Sequence, residues 1–166
     1  MAKQNSEIIK IPLLHGLIAI IDKEDYPRVS NFNWYAEKAG QRIYVTRNDK
    51  ENNRVQRLHQ FLLTAPKGMV IDHIDGDGLN NQKSNLRICT YSQNLMNRGK
   101  QKNNLFSKYK GVGFINLQRS KNKWRARITI NKIEKYLGTF FTEIEAASAY
   151  NEAAKEYHGK FARFNN

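Results

Sequence analysis

Apolar and polar positions alternate over short distances in the first third of the chain, which predicts short strands separated by turns. Strands are expected at residues 8–14 and 17–21, with a turn at His15-Gly16 between them. An aromatic cluster at 32–35 precedes a further strand at 43–47 and a short helix at 58–63. This part of the chain is therefore interpreted as a small domain of mixed α and β structure.

The next segment combines two short apolar strands with polar side chains. One strand is expected at residues 70–74, carrying Asp72 and His73 near its end, and the other at 86–89. The intervening Asp75-Gly76-Asp77-Gly78 is typical of a turn, so both aspartates are interpreted as turn formers, with contact to a metal ion as the alternative. The pattern predicts a strand, a loop and a second strand.

A helix is expected directly after the second strand. Thr90 followed by Gln93 is a capping-box pattern, which predicts that the helix begins at Tyr91. Asn94 then falls in its first turns, where it can face Asp72 and His73.

The C-terminal part predicts a sheet with one helix. In residues 123–131, apolar Trp124, Ala126, Ile128 and Ile130 alternate with Arg125, Arg127 and Thr129, so one face is apolar and the other basic. Further strands are expected at 108–114 and 135–140. A capping box at Thr142 and Glu145 predicts a helix to about His158, with an apolar face of Ile144, Ala147, Tyr150, Ala154 and Tyr157.

These patterns give an α+β protein with three parts. Residues 1–97 form the first domain, whose core is expected at about 67–97. Residues 98–107 are polar and aperiodic and are interpreted as a linker. Residues 108–166 form a second domain, a three-stranded antiparallel sheet with one packed helix.

The charge is concentrated in one stretch. The chain has a net charge of +13, and residues 97–142 contain 12 of its 28 basic residues but one of its 15 acidic residues. A solvated surface without a ligand would spread this charge more evenly. The asymmetry therefore predicts a polyanionic partner, either nucleic acid or an acidic membrane.

The number of cysteines and the length of the longest apolar run exclude several classes of protein. The single cysteine, Cys89, rules out an intramolecular disulfide and a cysteine-rich structural zinc site, and we expect it to be a buried thiol. The longest apolar run, residues 11–21, is interrupted by Pro12, His15 and Gly16 and is too short to span a bilayer. We therefore expect no membrane association and an intracellular, cytoplasmic protein.

The polar residues of the middle segment resemble a known family. Asp72-His73, Asn85 twelve residues later and Asn94 nine residues after that are similar to the ββα-metal finger of HNH endonucleases, in particular the phage and intron-encoded homing branch. The resemblance covers about thirty residues at defined spacing. Each residue alone has an ordinary structural interpretation as a turn residue, a strand end, a cap or a surface amide.

The resemblance implies a role for each of these residues. His73 is the expected general base, since a neutral imidazole accepts a proton near pH 7. Asp72 and Asn94 offer hard oxygen ligands that suit Mg²⁺ or Mn²⁺ rather than zinc. Asn85 is expected to tie the two strands together and help orient His73, and Arg87 is a candidate phosphate contact.

The C-terminal domain resembles the AP2 DNA-binding module. The similar stretches are Tyr109-Lys110-Gly111-Val112, Trp124-Arg125-Ala126, Tyr136-Leu137-Gly138-Thr139-Phe140 and Ala146-Ala147. The resemblance implies that the sheet lies in the major groove of duplex DNA with Lys110, Arg127, Thr129 and Tyr136 facing it, and the alternation adds Arg125. Gly113 and Ile115 replace residues that are often basic, and Lys132 replaces the usual glycine, so no target sequence follows.

Three functions are compared. The first is a DNA endonuclease of the homing type in a phage or bacterial host cell, a monomer that nicks double-stranded DNA. The second is a non-catalytic DNA-binding regulator with a vestigial HNH fold, against which the intact Asp72, His73 and Asn94 argue. The third, RNA binding, is weaker because the predicted sheet lacks an aromatic platform for bases.

Overall fold

The computed structural model describes residues 7–100, 106–116 and 123–166, in two compact units that divide after Tyr91. Each unit is described by itself. Of the linker predicted at 98–107, residues 101–105 lie outside the described residues.

The first unit opens with a two-stranded antiparallel sheet. Strand β1 (Ile8–Pro12) pairs with β2 (Ile18–Asp22), and His15 and Gly16 lie in the connection with φ values of 60° and 71°. The predicted turn at these two residues is therefore confirmed. A short helix, α1 (Tyr26–Val29), follows.

A three-stranded antiparallel sheet comes next. Its order is β3 (Tyr35–Ala39), β4 (Arg42–Asp49) and β5 (Arg54–Arg57), followed by helix α2 (Leu58–Leu62). The sequence predicted the central strand and the helix, but not the two outer strands. The core of the unit consists of Ala19, Ile21, Val29, Val45, Leu58 and Leu62.

The third element of this unit is a hairpin with a long loop. Strand β6 (Met69–His73) pairs antiparallel with β7 (Leu86–Thr90), which places Asp72 opposite Arg87 and His73 opposite Leu86. Cys89 is fully buried, as predicted. Helix α3 (Tyr91–Met96) begins at the residue where the capping-box pattern placed its start, and from Ser92 onwards it belongs to the second unit.

The second unit contains a three-stranded antiparallel sheet and one long helix. The strands are β8 (Val112–Phe114), β9 (Trp124–Ile130) and β10 (Ile133–Phe140), with β9 central. Helix α4 (Glu143–His158) has the predicted capping box at Thr142 and Glu145. Together the two units confirm the α+β class.

The apolar face of α4 differs from the prediction at one position. Ala147, Tyr150 and Ala154 are buried as expected, but Ile144 is 71% exposed. Ala146 and Ala153 are buried instead. The expected inclusion of Ile144 was wrong because the small alanine side chains, not the large one in the first turn, pack against the sheet. Among the described residues, no helix is long and apolar enough to cross a membrane.

Candidate active site

The loop between β6 and β7 is held in place by strand β2. The backbone amide of Ile20 donates to the carbonyl of Leu79 at 2.9 Å, and the amide of Asn81 donates to the carbonyl of Ile20 at 2.7 Å. Asp22 Oδ2 accepts a hydrogen bond from the backbone amide of Lys83 at 2.7 Å. Segments some sixty residues apart in sequence therefore fix the loop that leads away from His73.

An acidic cluster close to the contacts between β2 and the loop is paired with a lysine. Asp22, Glu24 and Asp25 offer ligand atoms within 4.8 Å of one another. Lys83 Nζ lies 2.5 Å from Glu24 Oε1 and 3.5 Å from Asp25 Oδ2. Arg28 Nη1 also lies 3.8 Å from Asp25 Oδ1, so two basic side chains offset part of this negative charge. The cluster is therefore interpreted as part of the loop anchor.

Asn85 closes the loop on itself. Its Oδ1 accepts a hydrogen bond from the backbone amide of Asp75 at 3.0 Å, while its Nδ2 donates to Asp75 Oδ1 at 2.9 Å and to the carbonyl of Asn80 at 2.8 Å. Its backbone carbonyl accepts from the amide of Ile74 at 2.9 Å. The residue ties the two ends of the loop together.

Asp75 and Asp77 accept hydrogen bonds within the same loop. Asp75 accepts from the backbone amide of Asp77 at 2.8 Å and from Asn80 Nδ2 at 2.8 Å, and Asp77 accepts from the backbone amide of Leu79 at 3.0 Å. These contacts agree with their interpretation as turn formers.

His73 is held by a residue that the sequence did not single out. The ring is 2% exposed, and its Nε2 lies 3.3 Å from Oδ1 of Asn81, which is fully buried. Asn81 Nδ2 donates to the carbonyls of Gly78 at 3.2 Å and Leu79 at 3.1 Å, which fixes the orientation of the amide. Because Oδ1 can only accept, Nε2 of the neutral ring carries the proton and the lone pair is on Nδ1.

A second histidine packs against the first. His59, on α2, is 5% exposed, and its ring meets that of His73 edge to face with centroids 4.8 Å apart. The Tyr44 ring lies 5.8 Å from the His59 ring and 6.1 Å from the His73 ring. The described residues offer no hydrogen-bond partner to His59 Nδ1. His59 therefore packs against His73 and supports its position.

Burial keeps both imidazoles neutral. It lowers the pKa of His59 to about 3, assisted by repulsion from His73 when that ring is protonated and from the Arg57 guanidinium. Burial also lowers the pKa of His73, although the hydrogen bond to Asn81 and the carboxylates of Asp75 and Asp72 oppose that shift. At neutral pH the His73 ring is therefore neutral, with one nitrogen protonated and a lone pair on the other, which is the state that a general base requires.

Asp72 and Arg87 form a buried ion pair across the two strands. Asp72 is 1% exposed, and its Oδ2 accepts hydrogen bonds from Arg87 Nη2 at 2.7 Å and Nε at 3.0 Å. The guanidinium orients the carboxylate next to His73 in sequence. Asp72, His73, Asn85 and Arg87 thus belong to one hairpin, whereas Asn94 is half-buried on α3 and its role as a metal ligand stays a prediction.

The sheet of the second unit exposes the predicted basic face. Arg125, Arg127 and Thr129 are exposed and alternate with buried Ala126 and Ile128. Tyr136 lies opposite Arg127 in the register and is 61% exposed. Arg127 Nη1 also lies 3.0 Å from Glu134 Oε2, so part of its charge is balanced.

Lys110 has a different environment from these residues. It is half-buried, and its Nζ donates to the backbone carbonyl of Met96 at 2.6 Å. Burial, together with the charge of Arg163, lowers its pKa to about 8. Its expected role in facing DNA stays a prediction.

Comparison with known proteins identifies relatives. A model of the HNH endonuclease family matches residues 64–96, which include the whole β6–loop–β7 hairpin. The uncharacterized HNH endonuclease L560 of Acanthamoeba polyphaga mimivirus is 33% identical over 153 residues, covering 89% of this chain and 74% of the relative. Protein 3.8 of Escherichia phage T7 is 35% identical over 100 residues, covering 60% of this chain and 78% of the relative.

One further relative is named as a transcription factor rather than as an endonuclease. The ethylene-responsive transcription factor ERN1 of Medicago truncatula is 37% identical over 89 residues, which is 52% of this chain and 31% of the plant protein. No solved structure matches the chain. The mimivirus protein, similar over most of both chains, and the family match on the hairpin that holds His73 show that the chain belongs to the HNH endonuclease family.

Proposed function

We propose that the protein is a metal-dependent DNA endonuclease in which His73 is the general base. The observation that carries this proposal is the hydrogen bond between His73 Nε2 and Asn81 Oδ1, which leaves the lone pair of a neutral imidazole on Nδ1. Asp72, the expected metal ligand, is the preceding residue on the same strand. A base and a hard oxygen ligand at adjacent positions suit the hydrolysis of a phosphodiester.

The proposed reaction is the attack of water on phosphorus. Nδ1 of His73 accepts a proton from the water as its oxygen forms a bond to phosphorus. The bond from phosphorus to the 3′ oxygen then breaks, and the leaving oxygen takes up a proton from solvent. His73 afterwards returns its proton to solvent, so the ring is neutral again for the next cycle.

The donor set fits a hard divalent cation. Asp72 supplies a carboxylate and Asn94 an amide oxygen, and neither is a soft ligand, so Mg²⁺ or Mn²⁺ is the expected ion. Such an ion would supply positive charge beside the phosphate and the leaving oxygen. Arg87 donates two hydrogen bonds to Oδ2 of Asp72. Its proposed role is therefore to orient this metal ligand as well as to contact phosphate.

The second unit would place the enzyme on duplex DNA in the manner of an AP2 domain. The exposed face of β9, with Arg125, Arg127 and Thr129, and the neighbouring Tyr136 offer cationic and hydrogen-bonding groups to phosphates and bases. The concentration of net positive charge in residues 97–142 supports this role. The similarity to a plant transcription factor supports it as well. Site-directed cleavage of the homing type is the biological role proposed for the combination.

Plasmid cleavage tests the proposal. The wild-type protein should cleave supercoiled plasmid with Mg²⁺ or Mn²⁺ and stop when EDTA is added. His73→Ala should abolish cleavage while duplex binding in a gel shift is retained, and Asp72→Ala or Asn94→Ala should change the metal requirement. DNA binding without any cleavage by the wild-type protein would favour the non-catalytic regulator instead.

A further inference from the structure

We propose that Arg42, Tyr44 and Arg57 form a phosphate-binding surface that holds the DNA strand being cut beside His73. This inference rests on the proposed endonuclease activity and adds a second DNA contact, located in the catalytic unit itself. The three residues belong to the sheet of β3, β4 and β5, which the sequence did not assign any function.

The alternation of a strand puts these side chains on one face. Arg42 and Tyr44 are two residues apart on β4, and Arg57 on β5 pairs with Thr46, the next residue of the same face. The guanidinium of Arg57 lies 4.4 Å from the centre of the Tyr44 ring, as expected for such a diagonal neighbour. Lys38 and Arg54, in register with Ile43 and Asp49, belong to the opposite face.

This face is the one next to the candidate base. The Tyr44 ring contacts the rings of both His59 and His73. The loop that carries Asn81 also packs directly on β4, because a Cβ atom at Gly78 would lie 2.2 Å from the Ile43 carbonyl oxygen and 2.8 Å from the Tyr44 ring. A strand bound along this face would therefore lie against the loop and the histidine that it holds.

The face contains two guanidinium groups and one carboxylate, that of Glu37 in register with Tyr44, and the two guanidinium groups are available to a ligand. Within the described parts of the chain, neither Arg42 nor Arg57 forms an ion pair, whereas Arg54 pairs with Asp49 and Arg87 with Asp72. Arg42 and Arg57 are half-exposed.

The chemistry of the face favours a phosphodiester as the ligand. Arginine presents a planar fork of donors that matches two phosphate oxygens. The Arg57 guanidinium lies over the Tyr44 ring, and cation–π packing of this kind leaves N–H donors of the fork available to a ligand. Cation–π packing on Tyr44 would by itself explain an arginine at position 57. It does not explain why Arg42, which forms no ion pair among the described residues, lies on the same face.

Removing charge from the two faces of the same sheet provides a matched test. Arg42→Gln, Arg57→Gln and the double variant remove charge from the proposed surface, and Lys38→Gln removes one charge from the opposite face. Each full-length protein is assayed for nicking of plasmid over a range of DNA concentrations. Each is also assayed, in a His73→Ala background, for binding to a labelled duplex over a salt series.

The double variant should reduce cleavage at low DNA concentration about tenfold and lower the log–log salt slope of binding by roughly 0.9 for each phosphate that the protein no longer neutralises. Lys38→Gln should stay close to wild type in both assays. Equal behaviour of the double variant and Lys38→Gln would overturn the inference. Arg42→Gln keeps the test valid if removal of the Arg57 stack weakens folding, because Arg42 takes no part in that stack; its thermal unfolding should match wild type.

Failure of the proposed function gives a different result. If the wild-type protein does not cleave any plasmid, the endonuclease proposal fails, yet the salt slopes still measure whether Arg42 and Arg57 contact phosphate. If the wild-type protein cleaves and the double variant cleaves equally well with an unchanged salt slope, only the phosphate-binding surface is wrong.

Discussion

Nε2 of His73 lies 3.3 Å from Oδ1 of Asn81, an amide whose own nitrogen donates to two backbone carbonyls. The imidazole therefore has one favoured tautomer, and its orientation depends on a loop that is anchored to β2. This relationship connects the fold of the first unit directly to the proposed chemistry.

Replacing Asn81 should reduce cleavage without reducing DNA binding. In Asn81→Ala the ring of His73 loses the acceptor that fixes its tautomer, and losing such a supporting hydrogen bond costs about 10- to 100-fold in activity. Asn81→Asp keeps an acceptor and adds negative charge, so it should raise the pKa of His73 and move the pH–rate profile to higher pH. Plasmid nicking from pH 5.5 to 9 and gel shifts of the same proteins measure both effects. An Asn81→Ala enzyme with wild-type kcat would show that His73 is positioned by other contacts.

Local sequence patterns were sufficient for the hairpin but not for its surroundings. The apolar run before His73 and the capping box at Thr90 predicted β6 and the start of α3, because both signals depend on neighbouring residues. The fixed spacing of Asp72-His73 and Asn85 also located the candidate site. These features are determined within about thirty residues of chain.

The contacts that orient His73 depend on tertiary structure. Asn81 is fixed by pairing of its loop with Ile20, and His59 comes from a helix that precedes β6. Alternation also failed for the outer strand β5, whose Arg54-Val55-Gln56-Arg57 is largely polar and half-exposed. Ile144 is a second example, because helical spacing predicts an apolar face of α4 but not which part of that face the sheet covers.

Adding a methyl group at Gly78 should disturb both stability and activity. The new Cβ would meet the backbone oxygen of Ile43 at 2.2 Å, which cannot move as a flexible side chain would. Overpacking of this kind costs about 1–3 kcal/mol of the free energy of unfolding. Gly78→Ala should therefore unfold at lower urea concentration and cleave plasmid more slowly.

Gly99→Ala is the control for this change, because nothing lies within 4 Å of a Cβ at that position. It should match the wild-type protein in urea unfolding and in cleavage. Equal stability of the two alanine variants would mean that the loop does not pack on β4 as described.

The first unit should lose stability as the pH falls below the ordinary pKa of histidine. Burial lowers the pKa of His59 from 6.5 to about 3, so the unfolded chain binds a proton at a pH where the folded chain does not. The contribution of this pKa difference to the free energy of unfolding is fully present above pH 6.5. It is lost as the pH decreases towards 3, by at most about 1.4 kcal/mol per pH unit. The lowered pKa of His73 acts in the same direction.

His59→Phe keeps an aromatic ring against His73 but does not titrate. Its free energy of unfolding, measured by urea denaturation between pH 7 and 5, should depend less steeply on pH than that of the wild-type protein. The comparison uses the slopes, so a constant change in stability does not affect it. Identical slopes would contradict the assigned burial of a neutral His59.

Replacing Lys132 with glycine should stabilise the turn between β9 and β10. Asn131 and Lys132 have φ values of 51° and 69°, the left-handed conformation that two-residue hairpins favour with glycine in the second position. A residue with a Cβ pays about 1 kcal/mol for this conformation. Lys132→Gly should therefore unfold at higher urea concentration than Lys132→Ala, which removes the same charge but keeps the strain. Equal stabilities of these two variants would show that the turn is not strained at Lys132.

Each chain should cut one strand at a time. The chain has a single Asp72-His73 pair in one hairpin, and a base at one position can activate water against only one phosphodiester in each binding event. Supercoiled plasmid incubated with protein at low concentration and Mg²⁺ should therefore pass through an open-circular form before any linear product appears. The rate of nicking should increase in proportion to protein concentration, as expected for a monomer. Linear product formed from the start, with a rate that rises as the square of protein concentration, would instead indicate that two chains assemble on the DNA and each cuts one strand.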